Sequence, residues 1–418
     1  MSSRTNLPAV HALTFINSLG TGVVTNGIFF ITKKAYDFSA LANFSLGVLL
    51  GVTYIIGALA AGPVQRALRQ HMSTRTILAT VMALLGLLCV IPLTTHTLKV
   101  TGAWPAWLLV ALYSPLSGML WPIVESYLSG GRSGDNLRRT IGVWNIVWSS
   151  ALVAAYVAIS PLIDDPDTAV LAVALLGSTH VIGLICLFFF AKEPAAHVHE
   201  DHAPHPPVYN KLLVAFRWLL PMSYVVSSAL GPYLPDLIPK LRVPDHLHTL
   251  TASAWLFPRC LTFAVFGFWP GWHGRWWPAI AGALALLGGF AICVASTFIA
   301  GPVDPAATGV DIPGLSVLLA GLALFGCGMG IVYSGAIYYA MEVGKAQVDA
   351  GGTHEALIGA GYTLGPLCGI AAVGIVNTAS LDAHHINSFL LAEVAIIAII
   401  MAIIVARQVH RHGRHKST

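Results

Sequence analysis

Residues 77–93 read ILATVMALLGLLCVIPL, a run with no charged residue and no alternation of apolar and polar positions. A helix needs about 20 mainly apolar residues to cross a hydrocarbon core of roughly 30 Å, whereas the strands of a membrane barrel alternate over roughly ten residues. The run therefore predicts a membrane-spanning helix. Similar runs recur along the chain between short polar breaks, so the sequence predicts an all-α membrane protein.

The composition agrees with this prediction. The chain has 418 residues, of which 56% are hydrophobic and 10% charged, whereas roughly a quarter of the residues in a soluble domain are charged. All six cysteines lie inside apolar runs, without disulfide or metal-ligand spacing, and the net charge of +4 is spread over loops. We therefore expect no nucleic-acid partner, no metal and no cofactor, and a monomer in the lipid bilayer.

The apolar runs number twelve and form two groups of six. We call them segments 1 to 12. They cover residues 7–32, 38–64, 76–96, 104–130, 138–162 and 168–191 in the first group, and residues 211–239, 248–270, 277–301, 314–343, 355–378 and 386–408 in the second.

The two groups are separated by a polar linker, residues 192–210. The linker is rich in proline and contains His197, His199, His202 and His205. Such a composition cannot bury enough surface to fold alone, so a solvated linker is expected, with a weak transition-metal site as the alternative. The sequence thus predicts an N-terminal six-helix half (1–191), the linker and a C-terminal six-helix half (211–418).

Basic residues are distributed unevenly between the two sides of the membrane. With twelve segments, sixteen Lys and Arg residues fall on the side of the linker and both termini, five fall on the other side, and Arg259 lies within a helix. Short cytoplasmic loops carry the excess of Lys and Arg in membrane proteins. We therefore expect a plasma (inner) membrane protein whose linker and termini are cytoplasmic.

Polar residues are concentrated in particular segments. Segments 3, 6, 9 and 12 are apolar all round, while segments 1, 4, 5, 7, 8, 10 and 11 carry polar stripes. A helix that is apolar all round faces lipid, and a striped helix faces a wet interior. The pattern predicts that every third helix lies outside and that the others surround a cavity.

Segments 5 and 11 show corresponding stripes, which indicates that the two halves are related. Each stripe has residues at helical offsets of 0, 4, 7 and 11 and so lies on one helix face. The stripes are Arg138, Gly142, Asn145 and Ser149 in segment 5, and Glu355, Gly359, Tyr362 and Pro366 in segment 11. Parallel repeats of this kind are common in transporters.

A loop motif follows the second helix of each half. Residues 267–276, GFWPGWHGRW, keep both glycines and one arginine of the pattern G-x-x-x-D-R-x-G-R-[RK], with Gly271 at the acidic position. Residues 61–69, AGPVQRALR, keep two arginines, with Gln65 at the acidic position. These residues, with an Arg-Gly element at the start of segment 5, resemble the major facilitator superfamily over nearly the whole chain.

The resemblance implies a major facilitator fold whose halves rock about a central site and expose it alternately to each side. It also implies proton-coupled transport as a symporter or antiporter, and the absence of a GxxxxGK[ST] loop agrees with transport without ATP hydrolysis. The motif positions that the resemblance identifies as gating residues are Arg66, Arg69, Arg138, Arg139, Gly267, Gly274 and Arg275.

Arg259 lies near the middle of segment 8, with Trp255 one turn away on the same face. A charge at this depth is costly and requires a partner or a hydrated cavity. Two interpretations stay open. Arg259 anchors an anionic group of the substrate, or it forms a structural pair with a carboxylate or with helix-end carbonyl groups.

Glu125 lies on a polar stripe of segment 4, toward the cytoplasmic end. A carboxylate that is partly removed from water holds a proton more readily than a solvated one, and it could exchange that proton during transport. The alternative is an ion pair with Arg138 or Arg139. Glu342 and Glu355, near the ends of segments 10 and 11, are expected to be solvated.

The remaining polar stripes supply candidates for a substrate site. Hydroxyl, amide and aromatic groups suit a small polar solute, although packing between helices explains any one of them equally well. The predicted substrate-binding residues are Asn17, Thr21, Trp121, Asn145, Tyr224, Trp255, Arg259, Ser334, Tyr338 and Tyr362.

These patterns favour a secondary active transporter of a small solute, and not an enzyme. The alternative is an integral membrane enzyme or a transport-inactive sensor on the same fold. The sequence contains no HExxH or GxSxG motif, which argues against the common hydrolytic enzymes.

Overall fold

The computed structural model describes residues 5–132, 134–196, 206–299, 309–343, 348–382 and 385–414. The described residues contain no β-strand and include twelve helices that are long and apolar enough to cross a membrane, which we call spans 1 to 12. They are Leu7–Tyr36, Ala40–Leu68, Thr74–Thr97, Trp104–Ser129, Gly134–Leu162, Pro166–Phe189, Pro207–Leu241, Asp245–Phe268, Trp277–Ser296, Ile312–Val343, Val348–Thr378 and His385–Arg407. The protein is an integral membrane protein.

The observed spans match the predicted segments closely, with one consequential difference. Span 11 begins at Val348. The sequence predicts a later start, at residue 355, because the polar stretch VDAGGTH (348–354) has the composition of a loop. The four histidines of the linker lie outside the described residues. The division of the chain at residues 192–210 therefore stays a prediction.

Spans 3, 6, 9 and 12 lie at the periphery. Within the most apolar part of each span, these four bury 44%, 44%, 44% and 17% of their residues, whereas the other spans bury 50–72%. Their outward faces present large apolar side chains such as Leu87, Phe188, Leu284 and Ile399. The expected arrangement, with every third helix facing lipid, is confirmed.

The first six spans meet the last six along a central seam, where span 2 packs along span 11 and span 5 along span 8. Glycine residues allow the backbones of spans 5 and 8 to come into contact. A Cβ on Gly142 would come 2.5 Å from the Cα of Gly267, so the two backbones touch and any side chain here would force them apart. We use "linker side" for the end of the molecule where spans 1 and 7 begin, and "far side" for the other end.

Spans 1 and 8 are among the spans beside the seam that depart from α-helical geometry. Span 1 contains a π-turn at Val23–Gly27, and span 8 contains a 3₁₀ turn at Ser253–Trp255. Such turns inside long helices are frequent at functional sites, because they rotate the following side chains relative to a regular helix. The turn in span 1 contributes Thr25 and Asn26 to the central cavity described below, and the turn in span 8 contributes Trp255 to a smaller space on the far side.

Candidate functional site

A cavity of about 60 Å³ lies between the two groups of spans and has room for only a few water molecules. It combines aromatic rings with hydroxyl, amide and carboxyl groups. Its walls are formed by Ser18, Thr21, Thr25, Asn26, Tyr54, Trp121, Trp144, Trp148, Leu152, Tyr224, Tyr333, Glu355, Ile358 and Tyr362. Of the predicted substrate-binding residues, the cavity therefore brings together Thr21, Trp121, Tyr224 and Tyr362.

On the linker side, polar contacts cross the seam next to this cavity. Arg66 of span 2 pairs with Asp349 of span 11 at 2.5 Å. The backbone N–H of Gly134 donates to Glu342 of span 10 at 3.1 Å. Together with the contact between spans 5 and 8, these interactions join the two groups of spans at this end.

On the far side, a second set of contacts joins the same two groups. Lys33, near the end of span 1, pairs with Asp236 of span 7 at 2.9 Å, and Lys34 pairs with Asp245 of span 8 at 3.2 Å. The hydroxyl of Thr249 donates to the carbonyl of Tyr156 at 3.2 Å. Polar contacts thus join the two groups of spans at both ends of the cavity.

Two glutamates and a histidine meet beside the cavity. Glu125 of span 4 and His354 and Glu355 of span 11 are 1%, 3% and 3% exposed, and their potential ligand atoms lie within 4.8 Å of one another. The hydroxyl of Tyr54 donates to Glu355. We call these three side chains the carboxylate cluster.

At the carboxylate cluster, the structure differs from two expectations. Glu355 is buried and not solvated, because span 11 begins at Val348 and so encloses Glu355 two turns inside the helix. The alternative ion pair for Glu125 does not form. Arg138 pairs instead with Asp135 at 3.3 Å, and Arg139 is exposed. Neither oxygen of Glu125 accepts a hydrogen bond from an N–H or hydroxyl group among the described residues, and the carboxyl group beside it is that of Glu355.

Arg259 lies in an aromatic cage and is 1% exposed. Its guanidinium carbon is 4.3 Å from the ring centroids of both Trp148 and Trp255 and 5.7 Å from that of Phe263. Its Nε donates to Ser149 at 3.1 Å, while Nη2 has no hydrogen-bond partner among the described residues. The aromatic faces compensate part of the cost of burying the charge.

Aromatic contacts connect this cage to the cavity wall. Trp148 packs against Tyr333 with a centroid distance of 5.2 Å, and Tyr362 packs edge to face against Tyr224 and Tyr54 at 5.1 and 5.7 Å. Rings that fix one another in this way present rigid flat faces, and such faces are suited to stacking against a ring of a solute.

The other predicted substrate-binding residues lie outside the central cavity. Asn145, Ser334 and Tyr338 line a space of about 10 Å³ on the linker side, and Trp255 lines one of about 30 Å³ on the far side. The side chain of Asn17 packs between spans 1 and 6, where its Oδ1 lies 2.5 Å from Nδ1 of His180. This contact directs it away from the cavity.

The predicted gating residues occupy the linker side. Arg69, Arg139 and Arg275 are exposed, and Arg138 is buried with Nε and Nη1 lacking hydrogen-bond partners among the described residues. Gly274 has a φ of +68°, a left-handed conformation that favours glycine, and its N–H donates to the hydroxyl of Tyr339 at 3.0 Å.

In the loop motif of residues 267–276, where Gly271 stands at the acidic position, aromatic side chains pack closely. Trp272 is 1% exposed, and His273 stacks on Tyr338 at a centroid distance of 4.3 Å. Partial burial, together with the positive charge of Arg138, lowers the pKa of His273 to about 4. His273 is therefore neutral at pH 7 and stacks as an uncharged ring.

Several cavity residues escaped the sequence analysis. Glu355 stood at the head of the polar stripe of segment 11 but was assigned to a helix end. Trp144 and Trp148 are spaced i, i+4 on span 5, the spacing of one helix face. Tyr333 belongs to the polar stripe of segment 10, for which the sequence predicts a place in the second half of the cavity, and it lines the cavity. His354 offered no comparable signal, because its position in the carboxylate cluster depends on contacts between distant parts of the chain.

No protein-family model and no curated protein matches the sequence. Solved structures, however, share its architecture. The nucleoside transporter NupG has a TM-score of 0.63 and 12% identity, over 96% of this chain and 98% of that chain. The human organic anion transporter MFSD10 (TETRAN) has a TM-score of 0.57 and 11% identity, over 94% and 98%. The fucose:proton symporter FucP of E. coli has a TM-score of 0.57 and 13% identity, over 94% and 98%.

These proteins are transporters of the major facilitator type, and the likeness extends over nearly the whole of each chain. At such low identities it shows the fold and nothing finer. The expected major facilitator fold is confirmed.

Proposed function

We propose that this protein is a secondary active transporter that carries a small solute across the membrane by alternating access. The observation that supports this proposal is a small polar cavity on the seam, with contacts between the first six and the last six spans at both of its ends. Breaking the linker-side contacts opens the cavity to one side, and breaking the far-side contacts opens it to the other.

The cavity favours a small solute that has a ring and an acidic or strongly accepting group. The flat faces of Trp121, Trp148 and Tyr362 suit stacking, and Thr21 and Asn26 supply hydrogen bonds. Arg259 holds an unpartnered N–H group behind Trp148, where a small movement of the rings would expose it to an anionic group. The structural neighbours are named as transporters of nucleosides, organic anions and fucose, which are all small polar solutes.

We further propose that Glu125 exchanges a proton as the cavity alternates. Two charged carboxylates repel each other strongly when both are buried, so the pair Glu125 and Glu355 needs a compensating proton or cation. Opening the seam between spans 4 and 11 would hydrate the pair and release the proton. Solute movement and proton movement would then depend on the same conformational change.

The proposed orientation places both termini and the linker in the cytoplasm, in a monomer of the plasma (inner) membrane. It rests on the excess of Lys and Arg on the linker side. Reporter fusions after Pro206 and at Thr418 should both report the cytoplasm. An external signal at either position would overturn this orientation.

Transport itself is tested in two steps. A thermal-shift screen of purified protein against nucleosides, sugars, organic acids and drugs should identify a stabilising solute, since a ligand stabilises the state that it binds. Proteoliposomes loaded with this solute should then exchange it for external labelled solute. If a solute binds but never crosses the membrane, the sensor alternative replaces the transporter, and conversion of the solute to a product would indicate an enzyme.

A further inference from the structure

The carboxylate cluster has a composition that the transport proposal does not explain. Besides the two glutamates it contains His354, which is 3% exposed and whose Nε2 has no hydrogen-bond partner among the described residues. A buried polar atom without a partner costs free energy. Neither oxygen of Glu125 accepts a hydrogen bond from an N–H or hydroxyl group of the described residues, and one ligand atom of each of the three side chains lies within 4.8 Å of the others.

No basic residue forms an ion pair with this cluster within the described part of the chain, although the positive charge of Arg217 acts on His354 from a distance. Arg138, the nearest candidate from the sequence, pairs with Asp135, and Arg259 is held by Ser149 and its aromatic cage. Two ionised carboxylates and a neutral imidazole carry a net charge of −2. A single divalent cation would balance this charge and satisfy the unpartnered atoms at once.

We propose that Glu125, His354 and Glu355 bind a divalent first-row transition-metal ion such as Mn²⁺, Co²⁺ or Zn²⁺. Carboxylate oxygen and imidazole nitrogen are ligands that these ions accept. Metal–ligand bonds of about 2.0–2.2 Å place the ligands of one ion up to roughly 4 Å apart. The observed spacing, within 4.8 Å, needs only a small side-chain movement to close around an ion.

The surroundings of the cluster are suited to holding its ligands in place. Tyr54 donates a hydrogen bond to Glu355, and the ring of Tyr333 packs edge to face against His354 at 5.5 Å. Gly351 leaves the room that Glu125 needs, because a Cβ there would lie 2.6 Å from Oε2 of Glu125. Supporting contacts of this kind orient metal ligands and raise affinity.

The ion would lie at the wall of the central cavity, since Glu355 lines it. Three protein ligands leave coordination positions for water or for an accepting group of a solute. The metal and the coupling proton would compete for the same carboxylates. Metal binding does not depend on the transport proposal, because it is measured on purified protein without a gradient.

The test is a Co²⁺ titration of the purified full-length protein in detergent, in which His197, His199, His202 and His205 are replaced by alanine to remove the linker as a competing site. Visible absorption of bound Co²⁺ and the melting temperature are recorded, with excess Mg²⁺ present to suppress weak surface sites. The expected result is one ion per chain, with a rise in melting temperature.

Ligand variants identify the site. Glu125→Gln, Glu355→Gln and His354→Gln should each lower Co²⁺ affinity by more than tenfold, and Tyr54→Phe should lower it by about tenfold. His96→Ala, a change at an exposed histidine that pairs with Asp167, should leave affinity unchanged. Gly351→Ala keeps all three ligands but displaces Glu125, so it should weaken binding even if a ligand variant fails to fold.

Two results would overturn the proposal. One is the absence of saturable Co²⁺ binding in the folded parent protein. The other is binding that the ligand variants and Gly351→Ala leave unchanged. Neither result bears on solute exchange in proteoliposomes, so failure of the metal proposal and failure of the transport proposal can be told apart.

Discussion

Two charged centres border the central cavity, and they meet the cost of burial in opposite ways. The carboxylate cluster places Glu125 and Glu355 together with no basic partner among the described residues. Arg259, on span 8, is surrounded by the rings of Trp148 and Trp255, each 4.3 Å from the guanidinium. One centre needs a compensating charge, while the other is already compensated in part.

This difference suggests different roles. A carboxylate can accept and release a proton or bind a cation, so the cluster is suited to exchange with the solvent. A guanidinium stays charged at any physiological pH and forms directional bonds, so Arg259 is suited to holding and orienting an anion. We therefore expect variants of the two centres to impair separate steps of transport.

The largest effect is expected from Glu125→Gln. An amide cannot exchange a proton, so accumulation of solute against its gradient should be abolished, while counterflow of labelled solute should be largely retained. Both are measured in proteoliposomes with an imposed pH gradient. Asp164→Asn is the control, because Asp164 is an exposed carboxylate beyond the end of span 5, on the far side and away from the cluster. Normal accumulation by Glu125→Gln would remove Glu125 from the coupling role.

A smaller but still large effect is expected from Arg259→Ala. Loss of a charged hydrogen bond to an anionic solute should weaken binding by about 10- to 100-fold. Arg259→Lys should weaken it less, because the charge is kept while the planar, two-pronged geometry is lost. Affinity is measured by isothermal titration, with Arg242→Ala beyond span 7 as the control.

The melting temperature separates the two interpretations of Arg259. No carboxylate pairs with it among the described residues, so removal of the guanidinium should strand no buried charge. A collapse of stability with unchanged solute affinity would show instead that Arg259 has a structural role.

An intermediate effect is expected from Trp148→Leu, at the wall that the cage shares with the cavity. Losing a cation–π contact of about 0.5–2 kcal/mol should weaken solute binding by roughly 2- to 30-fold. The dependence of accumulation on the pH gradient should stay as in the parent protein. A changed dependence would mean that the two centres act as one unit.

The smallest effect is expected from Asp349→Asn, which breaks the ion pair with Arg66. These side chains are 53% and 60% exposed, so the pair contributes at most about 1 kcal/mol. The melting temperature should change little, in contrast to variants of the buried centres. A large decrease would show that closure on the linker side depends on this pair.

The sequence predicts the architecture well, because a helix in lipid must be apolar and long enough to cross the bilayer. The uncharged run of residues 77–93 needs no tertiary information to be recognised as a helix, and span 3 is observed at Thr74–Thr97. The apolar character of spans 3, 6, 9 and 12 likewise predicts their position at the periphery. Each of these features depends only on local composition and on the thickness of the bilayer.

The site is predicted less well, because it depends on contacts between distant residues. The burial of Glu355 follows from the helical conformation of residues 348–354, whose glycines and polar residues resemble a loop. Asn17 lies on the predicted stripe but turns to His180, a partner 163 positions away along the chain. Glu125 was correctly singled out as a buried acid, but no sequence spacing connects it to His354.

Proton coupling and solute binding are assigned to separate charged centres. The most direct test measures, in parallel, the solute affinity and the gradient-driven accumulation of Glu125→Gln and Arg259→Lys. We predict that Glu125→Gln binds solute nearly as the parent does but does not accumulate it, whereas Arg259→Lys binds weakly but still accumulates solute at saturating concentration. If both variants lose affinity and accumulation to the same extent, the separation of coupling from solute binding is wrong.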